Sequence, residues 1–287
     1  MEEIYFEIFE SLPRQGPGDE ESTKKAFQKL VELLEHPEIL DVGCGTGSQT
    51  MVLAKLTSGK ITALDNHAPF IEKLKRDVRW GGYAERISCV VGDMASMNFA
   101  EGSFDLIWSE GAAYIMGFEK ALDAWRPLLR PNGYMVVSEM VWFKEEAPQE
   151  IRDYFTKEYP DMKYYEHNFP IVESSGYKMI DYFPLPSEAW WKNYYTPSEK
   201  KLVEMRRKHR NNKDAQAIFD SFQLEIDMYR KYSEYYGYGF YVMQKKVFRF
   251  SEKMARPEYS MCSQRRDSCT NPERKLALAS ARSVFLR

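Results

Sequence analysis

The stretch that decides the fold is Ile39-Leu40-Asp41-Val42-Gly43-Cys44-Gly45-Thr46-Gly47, in which an apolar strand runs directly into a turn with three glycines. A helical pattern follows from Ser48. Glycines at alternate positions allow positive φ angles and carry no Cβ, so a ligand can lie against bare backbone at the helix N-terminus. The stretch therefore predicts a nucleotide-like ligand.

The glycine spacing excludes two common phosphate-binding loops. The dinucleotide fingerprint G-x-G-x-x-G requires a third glycine at position 48, which is Ser48 here. The Gly-Lys-Ser/Thr of a P-loop does not follow either. A carboxylate, Asp41, stands two residues before the first glycine. Such a charge would repel a pyrophosphate and suits a ligand with a cationic amino or sulfonium group.

Short apolar runs alternate with helical patterns around this stretch. Strands are predicted at 38–42, 60–65, 87–91, 104–109 and 134–141, and helices between them at 48–56, 69–80 and 118–129. Because parallel neighbours need a crossover, the alternation predicts an α/β fold: a Rossmann-like, seven-stranded, mostly parallel sheet with helices on both faces. Two further strands, 177–183 and 238–246, flank a helical insertion, and we expect the last strand to be antiparallel.

The chain divides into three predicted parts. Residues 1–36 are an N-terminal helical segment, with a helix over 2–11, a turn-rich stretch at 12–18, and a second helix with apolar positions from Ala26 to Leu34 and Asp19 or Ser22 as N-cap. Residues 37–246 are the main domain, in which an insertion at about 185–236 forms a cap over the sheet edge. Residues 247–287 are a basic tail that we expect to be poorly ordered.

Acidic residues end the next two predicted strands. Asp65 ends the second strand and Asp93 follows the third. Ligands of open α/β sheets bind at the carboxyl ends of the strands, where Asp65 can reach ribose hydroxyls. A lone glycine-rich turn could be only a tight strand–helix connection, but three acids in register with it favour a ligand site.

Several motifs in order resemble the class I S-adenosylmethionine-dependent methyltransferases of small-molecule type. They are residues 41–47, Leu64-Asp65, Gly92-Asp93, Phe104-Asp105-Leu106-Ile107-Trp108-Ser109 and Leu129-Arg130-Pro131-Asn132-Gly133, and the resemblance covers about residues 38–142. It implies S-adenosyl-L-methionine as cofactor and S-adenosyl-L-homocysteine as product. The implied contacts are Gly43, Gly45 and Gly47 with the methionine portion, Asp41 with its amino group, Asp65 with the ribose, and Asp93 and Met94 with the adenine, with Asn66, Gly92 and Ser109 beside them.

Methyl transfer is an in-line displacement, so the main tasks of the enzyme are alignment and exclusion of water. A hydroxyl or carbon acceptor would also need a base, and the two candidates are Glu110 after the fourth strand, with Tyr114 close to it in the sequence, and Glu139 in the fifth strand. A loop carboxylate bound to backbone amides is the alternative for Glu110, and a structural ion pair is the alternative for Glu139. His67 could reach an adenosyl pocket but is also typical of a helix start. No spacing demands a metal.

Aromatic residues make up 15% of the chain, and most of the tyrosines lie after residue 145. Aromatic rings can bury a flat substrate and hold a cation, so we predict an aromatic-lined cap with Trp190 and Trp191 as substrate contacts. Packing of the insertion on the sheet is the alternative for most of these rings. The predicted substrate is a small, aromatic or apolar-bodied molecule with an N-, O- or C-acceptor.

Charge and composition limit the other partners. The net charge is −3 and the tail is basic, so the rest of the chain is acidic, which argues against nonspecific nucleic-acid binding. No apolar run is long enough for a membrane span, and the acidic start lacks the features of a signal peptide. Four cysteines without metal spacing indicate a reduced, cytoplasmic compartment. A homodimer is left open.

Two other functions compete with small-molecule methylation. One is a noncatalytic, methyltransferase-like binding or assembly subunit, and the other is methylation of protein or RNA. The first would bind cofactor weakly or not at all, and the second would place the methyl group in macromolecules.

Overall fold

A computed structural model describes residues 2–247, and the predicted alternation of strands and helices forms one continuous sheet with helices around it. The strands are β1 (Glu38–Val42), β2 (Lys60–Asp65), β3 (Ile87–Val91), β4 (Phe104–Glu110), β5 (Leu129–Trp142), β6 (Lys163–Tyr164), β7 (Tyr177–Pro184) and β8 (Tyr236–Lys245). The predicted tail falls almost entirely outside the described residues.

The helices follow the predicted order with several short additions. They are α1 (Glu2–Glu10), α2 (Glu20–Phe27), α3 (Ser48–Leu56), α4 (Ala68–Trp80), α5 (Phe118–Trp125), α6 (Gln149–Glu158), α7 (Asn168–Ser174), α8 (Ser187–Trp190), α9 (Thr196–Lys208) and α10 (Lys213–Tyr232). Short 3-10 helices cover Ala113–Ile115, Arg126–Leu128 and Tyr165–His167, and a π-helix covers Trp191–Tyr195.

The strand order is β3-β2-β1-β4-β5-β8-β7, and the two-residue β6 pairs with β5. Strands β1 to β5 pair in parallel, whereas β8 is antiparallel to both β5 and β7. The predicted α/β fold class, with its antiparallel last strand, is confirmed. The additional β6 is too short to produce a visible alternation of apolar residues in the sequence.

Chain order reverses direction across the sheet between β1 and β4, because β2 and β3 lie on one side of β1 while β4 and β5 lie on the other. In open α/β sheets a crevice forms outside the carboxyl ends of the strands at such a point. The topology therefore fixes where a ligand can bind.

The second N-terminal helix is shorter than predicted. Helix α2 ends at Phe27, and Val31 and Leu34 are 86% and 60% exposed, so the predicted extension to Leu34 is wrong. The backbone forms a turn there, because Lys29 N donates a hydrogen bond to Ala26 O, three residues earlier in the chain. Asp19 is the N-cap: its Oδ1 accepts a hydrogen bond from Ser22 N at 2.7 Å.

The helix predicted over 118–129 also ends early. Helix α5 stops at Trp125, a 3-10 turn follows, and β5 begins at Leu129 instead of residue 134. Pro127 lies in that turn, where its ring is compatible with a first helical turn but does not continue a longer helix. The strand pairing is irregular between Phe104 and Leu106, and Asn132 has a φ angle of 62°.

The helical insertion between β7 and β8 consists of α8, the π-helix, α9 and α10, and we call these elements the cap. The N-terminal segment packs on the cap: the Phe9 and Phe222 rings stack with centroids 5.4 Å apart, and Asn193 Nδ2 donates to Gly18 O at 3.1 Å. The cap and the N-terminal segment thus cover the same edge of the sheet. No helix among residues 2–247 is long and apolar enough to cross a membrane.

Candidate active site

A cleft lies at the carboxyl ends of four parallel strands. Residues at the strand ends line this cleft. They are Gly43, Cys44 and Gly45 after β1, Leu64, Asp65 and Asn66 at the end of β2, Gly92 and Met94 after β3, and Glu110, Gly111 and Ala112 at the end of β4. Eight of the residues predicted from the sequence are therefore brought together: Gly43, Gly45, Asp65, Asn66, Gly92, Met94, Glu110 and Tyr114.

The three glycines of the loop have different surroundings. Gly43 and Gly45 line the cleft, whereas Gly47 is the N-cap residue of α3 and is absent from the lining. Gly47 has a φ angle of 88°, and a Cβ there would lie 2.1 Å from Leu74 Cδ1 of α4. The third glycine is therefore required by helix packing and by the left-handed backbone.

Asp41 lies beneath the loop and is fully buried. Its carboxylate accepts hydrogen bonds from Thr50 Oγ1 at 2.5 Å and from Gln49 Nε2 at 3.2 Å, both in the first turns of α3. Burial raises the pKa of Asp41 to about 7. This side chain anchors the helix that follows the loop, and it does not line the cleft.

Asp65 connects the end of β2 with the loop. Its Oδ2 accepts a hydrogen bond from Gly45 N at 2.8 Å, and its Oδ1 accepts one from His67 N at 2.9 Å. Burial raises the pKa of Asp65 above its ordinary value. The carboxylate is thus fixed in orientation by backbone donors while it lines the cleft.

Two of the other predicted cofactor residues lie outside the lining. Asp93 is exposed, and its Oδ1 accepts a hydrogen bond from Ala95 N at 2.8 Å, whereas its neighbours Gly92 and Met94 line the cleft. Ser109 is fully buried within β4. Neither placement supports a direct contact with a ligand in this cleft.

Glu110 forms a buried ion pair that the sequence did not reveal. Arg14 Nη2 lies 2.5 Å from Glu110 Oε2, and the two side chains are 9% and 1% exposed. The other oxygen, Oε1, accepts hydrogen bonds from Thr23 Oγ1 and Trp108 Nε1, each at 2.8 Å. Both oxygens of the carboxylate thus have donors in contact, so the arrangement favours an ion pair over the predicted role as a base.

Residues 12–18, which we call the strap, lie against the glycine-rich loop. Gln15 Oε1 accepts hydrogen bonds from Thr46 N at 2.8 Å and from Thr46 Oγ1 at 2.9 Å. Gln15 Nε2 in turn donates to Phe9 O at 3.1 Å. Arg14 and Gln15 both line the cleft. The contact between 12–18 and the loop could not be predicted from the sequence, because the partners are distant in the chain.

Six aromatic residues line the cleft, and we call them the aromatic wall. They are Tyr5 and Phe9 of α1, Phe70 of α4, Tyr114 of a 3-10 helix, Tyr194 of the π-helix and Tyr238 of β8. Glu225 of α10 lies among them, and its Oε1 accepts a hydrogen bond from Tyr195 OH at 3.1 Å. The cap therefore contributes one ring, that of Tyr194, and the carboxylate of Glu225.

The two tryptophans predicted to contact substrate do not line this cleft. Trp190 is 1% exposed and stacks between Tyr229 and Tyr238, with centroid distances of 4.2 and 5.1 Å. Trp191 is covered by the guanidinium of Arg230, 5.0 Å from the ring centroid. Both placements favour the packing alternative, and Tyr194 is the aromatic residue that the cap contributes to the lining.

Two other candidates from the sequence, His67 and Glu139, have structural partners. His67 stacks on Phe6 with centroids 3.7 Å apart, and its Nε2 lies 2.8 Å from Glu10 Oε1, so it joins α1 to the start of α4. Glu139 Oε1 accepts a hydrogen bond from Tyr159 OH at 2.8 Å. Among residues 2–247, no group of three or more His, Cys, Asp and Glu side chains could hold a metal ion.

A sheet of this order, with a glycine-rich loop after β1 and an acid at the end of β2, defines the class I methyltransferase fold. Residues 39–133, about a third of the chain, match the protein family described as a methyltransferase domain. The chain thus carries a methyltransferase domain, and the resemblance seen in the sequence is confirmed.

A curated relative is the sterol 24-C-methyltransferase of Eremothecium gossypii, which is 32% identical over 104 residues. That alignment covers 36% of this chain and 28% of the relative. Methyltransferase GfsG of Streptomyces halstedii is 26% identical over 132 residues, which cover 46% of this chain and 47% of that one. The chain thus spans less than half of either relative.

Solved structures resemble this protein over a larger share of the chain than the curated relatives do. A methyltransferase from Geobacter sulfurreducens, crystallised with S-adenosyl-L-homocysteine, superposes with a TM-score of 0.73 and 16% identity, covering 85% of this chain and 98% of that chain. At this identity the likeness concerns the fold alone, and it covers a larger share of the chain than the family match over residues 39–133.

Proposed function

We propose that the protein binds S-adenosyl-L-methionine in this cleft and transfers its methyl group to a small molecule that binds beneath the cap. The observation that carries the proposal is the convergence of Gly43, Gly45, Asp65 and Glu110 at the ends of neighbouring strands. The match of residues 39–133 to a methyltransferase domain supports the reaction type.

The residues in the cleft fit each part of the cofactor. Asp65, with Asn66, would accept hydrogen bonds from the ribose, and the backbone at Gly92 and Met94 would border the adenine. Arg14 and Glu110 carry opposite charges inside the cleft and would complement the carboxylate and ammonium of the methionine portion. A buried pair of opposite charges suits a zwitterion better than either charge alone.

The cofactor, when bound, supplies a methyl group on a sulfonium sulfur. The strap and the cap cover the reacting end and exclude water, and the rings of Tyr194 and Tyr238 would orient the acceptor. Because Glu110 already accepts hydrogen bonds from Thr23 and Trp108 and pairs with Arg14, it is poorly suited to take a proton. The site therefore favours an acceptor that is nucleophilic without a general base.

Calorimetric titration with S-adenosyl-L-homocysteine tests the proposal. We expect saturable binding with one site per chain, and we expect Asp65→Ala to weaken it strongly. Absence of detectable binding to the unaltered protein would overturn the proposal.

We also propose that the protein works in a reducing, cytoplasmic compartment. Cys44 and Cys89 are free thiols within the described residues, which supports a reducing, cytoplasmic compartment. A homodimer stays a prediction, and light scattering coupled to gel filtration would measure it.

A further inference from the structure

We propose that the methyl acceptor is an amine, whose developing positive charge is stabilised by the aromatic wall of the cleft and by Glu225. This inference rests on the proposed function. It names the class of substrate that the cap selects.

The first observation is the density of rings at the cap end of the cleft. The centroids of Tyr5 and Phe9 lie 4.5 Å apart, and those of Phe9 and Tyr194 lie 6.3 Å apart. Tyr114 and Tyr238 line the same cleft. Aromatic faces carry partial negative charge and attract a cation within about 6 Å of the centroid.

The second observation is the balance of charge in the lining. Its acidic members are Asp65, Glu110 and Glu225, and its one basic member is Arg14. Arg14 pairs with Glu110, and Asp65 belongs to the cofactor end of the cleft. Glu225 places a carboxylate at the cap end. It would repel an anionic acceptor, and it would attract the positive charge that develops on a neutral acceptor during methyl transfer.

Glu225 is also held in place. Its Oε1 accepts a hydrogen bond from Tyr195 OH, and Tyr195 is 1% exposed, packed in the cap against Trp190 and Tyr229. A carboxylate that is already oriented loses little conformational entropy when a charge develops next to it.

The reaction balances without a base in the transfer step. The lone pair of the neutral amine forms the N–C bond while the C–S bond breaks, and the bonding pair stays on sulfur. The positive charge thus moves from sulfur to nitrogen, which leaves a neutral thioether and an alkylammonium ion. The product formed from a primary or secondary amine then loses a proton to solvent. The rings and Glu225 stabilise the charge on nitrogen, which is absent from the neutral amine.

A pair of isosteric probes tests the inference on the protein saturated with S-adenosyl-L-homocysteine. Choline and 3,3-dimethylbutan-1-ol have the same shape and differ in the charge on one atom. Binding of each is followed by NMR line broadening and by calorimetry. We expect choline to bind about tenfold more tightly than the neutral alcohol. Equal affinities, or no binding of choline to the saturated protein, would overturn the inference.

Two variants of α10 separate the role of Glu225 from a general loss of charge. Glu225→Gln should lower the affinity for choline about fivefold or more and leave the affinity for the alcohol unchanged. Asp220→Asn removes the same charge from the same helix at a position outside the lining, where Asp220 pairs with Arg206, and should leave both affinities unchanged. Equal effects of the two variants would contradict the assignment.

The same titrations keep the two proposals apart. If S-adenosyl-L-homocysteine does not bind, the proposed function fails, and the charge preference of the cleft is then measured with the two probes on the unliganded protein. If S-adenosyl-L-homocysteine binds and choline shows no preference, only the assignment of the amine fails.

Discussion

Arg14 Nη2 lies 2.5 Å from Glu110 Oε2, and this ion pair joins the strap to the end of β4 within the cleft. The pair connects residues 96 positions apart in the chain. Removal of one partner from a buried ion pair leaves an uncompensated charge, which costs about 3–5 kcal/mol. The strap is therefore part of the site.

We predict that Arg14→Met weakens the binding of S-adenosyl-L-homocysteine at least tenfold, because a charge-assisted hydrogen bond contributes about 1.5–3 kcal/mol. Binding of 5′-methylthioadenosine, which lacks the amino-acid portion, should change by less than about twofold. Calorimetry measures both affinities. The double variant Arg14→Met/Glu110→Met should regain thermal stability without regaining affinity for S-adenosyl-L-homocysteine. Equal losses for the two ligands would show that Arg14 acts only on the fold.

We predict that Asp65 contributes to the binding affinity for both ligands. Asp65→Asn keeps the shape of the side chain but removes the charge that faces the predicted ribose, so S-adenosyl-L-homocysteine and 5′-methylthioadenosine should each bind at least about tenfold more weakly. Asp93→Asn is the matched control, since Asp93 is exposed and outside the lining. A loss with Asp93→Asn as large as that with Asp65→Asn would contradict the assigned adenosine site.

We predict that Gly47 stabilises the fold in two ways: it permits the positive φ angle, and it leaves room for Leu74. Gly47→Ala places a Cβ 2.1 Å from Leu74 Cδ1 and forces a side chain into a φ angle of 88°. Gly82 has a φ angle of 76° with no atom within 4 Å of the added Cβ, so Gly82→Ala measures the backbone cost alone. We expect Gly47→Ala to lower the unfolding free energy by about 1–3 kcal/mol more than Gly82→Ala does. Urea denaturation measures the difference, and equal costs would refute the packing role.

The buried Asp41 should make stability depend on pH. Its pKa rises from 3.8 to about 7 on folding, so the folded protein holds the proton more tightly than the unfolded chain does. Stability therefore falls as the pH rises through this window, by at most about 1.4 kcal/mol per pH unit, and the loss is complete above pH 7. Asp41→Asn lacks this loss. The unfolding free energy of the variant minus that of the unaltered protein should therefore rise from pH 5 to pH 7 and then level off. A constant difference between pH 5 and pH 8 would contradict the raised pKa.

The sequence predicted the sheet well because each strand and helix leaves a local pattern. The glycine-rich loop and Asp65 are local features too, and their meeting follows from the rule that parallel strands end at one edge. Arg14, Gln15 and Glu225 could not be found in this way, since their partners are set by how the strap and cap fold over the sheet. Trp190 shows a different limit: the abundance of aromatic residues in the insertion led to its prediction as a substrate contact, whereas its ring is buried.

Transfer of a radiolabelled methyl group from S-adenosyl-L-methionine into a cell extract tests the central claim most directly. The extract is separated afterwards into small molecules and macromolecules. We predict label in the small-molecule fraction with the unaltered protein and a loss of that label with Asp65→Asn. Label in protein or RNA, or no transfer by a protein that binds S-adenosyl-L-homocysteine, would contradict the account.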